Sequence, residues 1–417
     1  MSNGQSIVIS NALCADGKVR SLRIEGGVVR AMSERPADVR GTDEHHLTKV
    51  DVEGRLLLPS LVEAHAHLDK SLTADLVPNP AGDLMGAIHG WRDAESSGVI
   101  NHEGMVERVA QSLEMLLAAG VTAVRSHINV GGPVGTRYLI ASQEAAERFR
   151  RTMHIEFVAL TYMPMSGEGS AENLRALREA IDLGVDAIGG CPHLEPDAAA
   201  CIDVALELAA HHSRKVDLHV DETLDPTSLT LDELVTKVEK YDLSVTASHC
   251  VSLGMVPQAT ADRIAQKVSK QQVSIVALPQ TNLFLQGRSQ PVATPRGLTA
   301  ISALRAAGAN LVAGADNAQD PFNLVGRNDP LETAALMVMA GHLLPEDAYA
   351  TVSSNARRAL GIAEVAVAVG SPADFIAVRT HSVRQTIAEA PADRIVFKDG
   401  EIVARSTVTR DFPTLNA

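Results

Sequence analysis

The hydrophobic and polar positions of the chain divide it into three parts. It opens on short runs rich in β-branched residues, Ser6–Ile9, Ser21–Glu25 and Gly27–Met32, with Gly26-Gly27 as a hairpin turn. It closes on matching runs, Asp374–Val378 and Arg394–Phe397, then Lys398-Asp399-Gly400-Glu401 turning into Ile402–Arg405. Asp-Gly between two such runs is a strong hairpin signal. Between the ends, apolar runs occur at Thr122–Val130, Ile155–Tyr162, Asp186–Gly190, Val216–Val220, Ser244–Ser248, Val273–Leu278 and Asn310–Gly314. The hydrophobic strand that runs into His65 makes eight. Most are separated by helix-like segments: Met105–Ala119, Glu172–Leu183, Ala198–His211, Thr230–Tyr241, Ala259–Lys270 and Gly297–Ala307. Such alternation predicts parallel strands joined by crossover helices.

The expected fold is therefore α/β: a (β/α)8 TIM-like barrel over 58–363, with a small β-sandwich domain built from both termini, 1–57 and 364–417. An open doubly wound sheet is the alternative, but it would want a glycine-rich phosphate turn after its first strand. His65-Ala66-His67 stands there instead.

Composition narrows the function classes. At 417 residues and 45% hydrophobic, the chain can bury a large core; with 3% aromatics, that core must be aliphatic. A formal net charge of −14 argues against nucleic acid or an anionic membrane as partner. No run of apolar residues is long enough to span a bilayer, and Met1–Ser6 lacks the features of a signal peptide. The four cysteines form no CxxC pair, which fits reduced thiols and a cytoplasmic protein, and nothing in the charge opposes a homo-oligomer.

In such a barrel the active site lies at the C-terminal ends of the strands. Five of the eight ends carry a histidine: His65 with His67, His127, His193, His219 and His249. His65 and His67 are two residues apart, so along a strand they point to one side. His65, His67, His219 and Asp316 supply three neutral nitrogens and a carboxylate, a ligand set for one divalent cation that leaves room for water. Such a cation brings the pKa of its water toward neutrality and makes it a nucleophile. Glu222, three residues past His219, suits the proton shuttle; its other reading is a carboxylate at a helix N-terminus. His249 suits a hydrogen bond to that water or to a developing oxyanion, and its other reading is a core histidine. Asp316 can both ligate and accept a proton. His127 and His193 either support the ligands or simply pack, Cys191 and Cys250 read as small buried groups, and His45, His46, His211 and His212 read as solvated.

This pattern resembles the amidohydrolase superfamily, and within it the cytosine deaminase-like branch, near the N-isopropylammelide aminohydrolases. The supporting runs are His65-Ala66-His67-Leu68-Asp69-Lys70, Val124-Arg125-Ser126-His127, Pro192-His193-Leu194-Glu195, His219-Val220-Asp221-Glu222, Thr246-Ala247-Ser248-His249, Leu285-Gln286-Gly287-Arg288 and Gly314 to Phe322. The resemblance implies one Zn or Fe ion, because the lysine that binuclear members carry at the end of strand 4 is missing from Gly189-Gly190-Cys191-Pro192-His193. It implies hydrolysis at an sp2 carbon with loss of ammonia or an amine from a small heterocyclic substrate. The branch's ring-reading glutamine after strand 3 is replaced by Thr161-Tyr162-Met163-Pro164-Met165, and the acidic residue after the metal aspartate by Asn317. A modified pyrimidine, a triazine and a pterin-like ring stay open as substrates, with N-alkylamine or cyclic amide hydrolysis as alternatives. Lys70, Trp91, Tyr162, Met163, Asn317 and Phe322 are the expected substrate contacts, Met165 a further apolar residue at the mouth, and the stretch from Asp75 to Gly98 a long loop suited to act as a lid.

Overall fold

Turn chemistry shapes the terminal part. The computed structural model describes residues 6–39 and 47–412, so His45 and His46 lie outside the described residues. Strands β1 (Ser6–Leu13), β2 (Val19–Glu25), β3 (Val28–Ser33), β4 (Leu47–Asp51) and β5 (Leu56–Pro59) come from the start of the chain. Gly26 and Gly27 at φ +58° and +75° close the β2–β3 hairpin, and positive φ at both central positions matches the twist of the flanking strands. At the other end β14 (Phe375–Val378), β15 (Arg394–Lys398) and β16 (Glu401–Arg405) join the same sheet, with Asp399 and Gly400 at φ +53° and +84° making the equivalent turn. The sheet order is β16-β15-β14-β5-β1-β2-β3, with β4 paired to β1. Residues from both halves, including Ile9, Leu22, Ile24, Leu57, Phe375 and Phe397, share one apolar core, so the sheet wraps as a sandwich.

The second sheet is the barrel. Its strands are β6 (Leu61–Ala66), β7 (Val121–Val130), β8 (His154–Thr161), β9 (Ala187–Gly189), β10 (Lys215–Val220), β11 (Val245–His249), β12 (Ser274–Ala277) and β13 (Leu311–Ala313). They follow one another in sequence order. A parallel bridge between Ala66 and Asp316 closes the ring: Asp316 N donates to His65 O at 2.9 Å and His67 N to Asp316 O at 3.0 Å. Helices Ser170–Asp182, Ala198–His212, Thr230–Val238, Gln258–Lys270 and Ile301–Ala306 provide crossovers. Among the described residues no helix is long and apolar enough to cross a membrane.

Two expectations change. The hydrophobic run before His65 is two strands: Leu56–Pro59 pairs with β14 in the terminal sheet, and only Leu61–Ala66 enters the barrel. Pro59 has no N–H to continue a ladder, and the N–H of Ser60 turns to Asp374 O. The stretch from Asp75 to Gly98 is not all loop. It holds a helix, Leu84–Ser97, started by Asp83, whose carboxylate accepts from Gly86 N, and ended by Gly98 at φ +76°. By contact density the described chain forms two compact units. One holds the residues up to Leu61 with 116–122 and those from Ala363 onward, the other Val62–Met115 and Ala123–Ile362.

Candidate metal centre and active site

The closing bridge decides where the expected ligands meet. It sets His65 and His67 beside Asp316, and β10 and β11 bring in His219 and His249. Asp316 Oδ1 lies 3.4 Å from His65 Nε2 and 3.1 Å from His67 Nε2. His67 Nε2 is 3.1 Å from His219 Nε2. Ligand atoms of His65, His219, His249 and Asp316 all fall within 4.8 Å of one another. Metal–nitrogen bonds of 2.0–2.1 Å in a tetrahedron put neighbouring donor atoms about 3.3 Å apart, which these spacings match. All five side chains are buried, yet His65 Nε2, His219 Nδ1, His249 Nε2 and Asp316 Oδ1 have no hydrogen-bond partner. Buried polar atoms are seldom left so. The donor set fits one divalent cation.

Electrostatics point the same way. Burial pushes the imidazole of His67 down to about 4, helped by the Lys70 ammonium, and that of His249 down to about 3. His219 and His127 are lowered well below the ordinary value, again by burial first. Burial alone would raise the Asp316 carboxyl, but the imidazoles of His65 and His67 hold it below its ordinary value. Neutral imidazoles and an ionised carboxylate are the states that ligation requires. Glu222 goes the other way: burial, then the Asp316 charge, pushes it well above the carboxylate range. Its Oε1 is 3.6 Å from His249 Nδ1, and His249 Nε2 is 3.8 Å from Asp316 Oδ2. Backbone strain sits at the same place, with His249 at φ +70° and Asp316 at φ +68°, in the region L side chains avoid.

Neighbouring Asp221, also at positive φ, takes the structural role weighed for Glu222. Its carboxylate accepts from Thr230 N at 3.0 Å and Leu231 N at 3.0 Å, satisfying the start of helix Thr230–Val238. Around the expected ligands lies a largely buried support, with Lys215 and His193 half-buried at its edge. His65 Nδ1 meets Ser248 Oγ at 2.9 Å, and that hydroxyl donates to Asp217 at 3.0 Å. Asp217 and Glu156 are bonded by the fully buried Arg125, and Lys215 joins Glu156. His127 stacks on His65 with centroids 4.0 Å apart, and His193 Nδ1 meets His219 O at 3.2 Å. Cys250 is buried, as expected, and burial pushes its thiol up; Cys191 is only half-buried and lines the adjoining cavity, with its thiol pushed up to about 12.

A cavity of about 130 Å³ opens onto this centre. All six expected contacts, Lys70, Trp91, Tyr162, Met163, Asn317 and Phe322, line it together with His67, His219, Glu222, His249 and Asp316. Met165 does not. It is fully buried with its sulfur 3.7 Å from Cys201, in the core rather than at the mouth. The Asn317 amide is partly committed within the protein, donating to Asp320 at 2.8 Å and accepting from Thr281 at 3.3 Å. Sequence reading missed Asn129 and Arg92 in the cavity wall and Glu95 behind it. The clue lies between Asp75 and Gly98, where Leu84, Ile88 and Trp91 recur at helical spacing between a capping Asp83 and Gly98.

Residues 56–403 match the amidohydrolase family. The chain is 31% identical over 376 residues to a pterin deaminase of Rhizobium rhizogenes, covering 88% of this chain and 84% of that one. It is 23% identical to an N-isopropylammelide isopropyl amidohydrolase of Pseudomonas sp. strain ADP, over 98% of this chain and 99% of that one. In structure it is similar to 5-methylcytosine deaminase from Klebsiella pneumoniae liganded with phosphonocytosine, with a TM-score of 0.86, 25% identity, and coverage of 98% and 100% of the two chains.

Proposed function

The chain belongs to the amidohydrolase family, and from that premise we propose that it is a mononuclear deaminase of a two-ring aminoheterocycle of the pterin kind. The observation that carries this reading is the buried cluster of His65, His67, His219, His249 and Asp316 at the floor of an apolar-walled cavity, with His65 Nε2, His219 Nδ1, His249 Nε2 and Asp316 Oδ1 left without hydrogen bonds. Bound there, one zinc or iron ion would supply the acidity that makes water a nucleophile at neutral pH. The rest falls to the chain's own side chains. Glu222, kept protonatable by burial, carries the proton from the attacking water to the departing nitrogen. His249, neutral and next to both Glu222 and Asp316, faces the oxygen that develops charge. The ring carbon gains the oxygen of water and loses its amino group as ammonia. The cavity wall containing Trp91, Tyr162 and Phe322, the absence of a glutamine after β8 and the likeness to a pterin deaminase support a pterin-like ring over cytosine.

The test is ammonia release from pterin, aminopyrimidines and aminotriazines by protein of known metal content, with Asp316→Asn as control. Release from pterin alone or best bears the reading out. Release of an alkylamine from N-alkyl triazines, with none from pterin, would replace it with the alternative chemistry.

A further inference from the structure

Glu95 sits on the helix Leu84–Ser97, outside the metal centre, and holds three residues of the cavity wall. Its Oε1 accepts from Trp91 Nε1 at 2.7 Å and from Asn129 Nδ2 at 3.3 Å, and its Oε2 accepts from the Tyr162 hydroxyl. The other end of the Asn129 amide accepts from Lys70 Nζ at 2.9 Å, and the Lys70 ammonium lies 5.7 Å from the centre of the Trp91 ring. Tyr162 is also fixed from behind: a Cβ on Gly132, which stands at φ +51°, would come within 2.7 Å of its ring. Trp91, Tyr162 and Asn129 therefore line the cavity with their polar atoms already spent on Glu95 and Lys70. The half-buried Tyr162, backed by the buried Trp91, thus presents ring rather than hydrogen-bonding atoms to the cavity, which favours flat π-systems by stacking.

We propose that Glu95 is a specificity-determining positioning residue, whose carboxylate fixes Trp91, Tyr162 and Asn129 as a stacking wall that selects planar, two-ring aromatic substrates. This rests on the deaminase reading and adds to it the residue that sets ring preference. Glu95 touches neither the ligand cluster nor the reacting atoms, so it acts on binding of the ring more than on the chemical step.

Trp91 is the only tryptophan, so its emission reports on the wall directly. In holoenzyme, Glu95→Ala is expected to shift Trp91 emission and make it more accessible to acrylamide. It should raise KM for pterin about tenfold or more while leaving kcat within about threefold and metal content unchanged. Glu95→Gln keeps an oxygen acceptor for Trp91 and Asn129, and is expected to restore both readouts to within about threefold of wild type. Tyr162→Phe removes one contact without removing the ring. Should Glu95→Ala fail to fold, this variant decides the matter, with an expected rise in KM of about threefold. Unchanged emission and KM in these variants would overturn the proposal. So would a fall in kcat and metal content at unchanged KM, which would make Glu95 part of the metal centre's support. If wild type releases ammonia from no ring, the deaminase reading fails on its own, and Trp91 emission in wild type against Glu95→Ala still decides whether the clamp exists.

Discussion

The barrel interior holds two groups of buried polar residues, and they are built in opposite ways. In one, Arg125, Glu156, Asp217 and Thr246, joined by the half-buried Lys215, satisfy one another: the Arg125 guanidinium alone reaches Glu156, Asp217 and Thr246 at 2.7–3.1 Å. In the other, five residues crowd together with several nitrogens and a carboxylate oxygen facing one another unpaired. The first group is stable as it stands. The second costs desolvation without return until a cation joins it. The contrast teaches where to look for function in a fold of this kind: buried charge that is paired holds the barrel, and buried donors that are unpaired wait for a ligand.

The largest expected effect breaks the unpaired group at its centre. Asp316→Asn removes the one carboxylate of the set and is expected to lower kcat/KM more than about a thousandfold, several kcal/mol of transition-state stabilisation. Ammonia assays alongside elemental analysis would show activity and metal leaving together. Next comes Glu222→Gln, which touches the proton path and spares the ligands. It should cost about 10²–10⁴ in kcat with metal retained, and single-turnover kinetics on metal-loaded protein would measure it. The paired group answers to a different readout. Arg125→Met strands two buried carboxylates and should remove about 3–5 kcal/mol of stability in urea unfolding, while turnover per folded molecule changes little. Smallest is Ser248→Ala, which joins the two groups. Without that hydroxyl, His65 Nδ1 loses its partner, and metal affinity in a chelator competition should fall about 10–100-fold with the fold intact.

How much of this the sequence discloses follows the same division. The cluster itself was legible because the rule is local: histidines at the ends of β-rich runs, two of them two residues apart, in a chain whose alternation predicts a barrel. The hairpin turns at the termini were legible for the same reason. The break at Pro59-Ser60 was hidden inside one continuous hydrophobic run, since apolar character says nothing about which sheet a strand joins. Glu95 was hidden because its partners Asn129 and Tyr162 lie 34 and 67 residues further along the chain, and only the closed barrel brings them to the helix. Asp221 and Glu222 show the limit most sharply. They are adjacent and identical in charge, and the helix-start role weighed for Glu222 falls to Asp221, whose carboxylate ends on the amides of a helix while that of Glu222 ends in the cavity.

The unpaired group is proposed to be a one-metal deaminase centre. This is tested most directly by adding zinc or iron back to chelator-stripped protein while following ammonia release from pterin. Stripped protein should release none, release should rise linearly as metal is added, and the rise should break at one ion per chain. Full activity in stripped protein, a break at two ions per chain, or a metal-saturated protein that releases ammonia from no aminoheterocycle would contradict it.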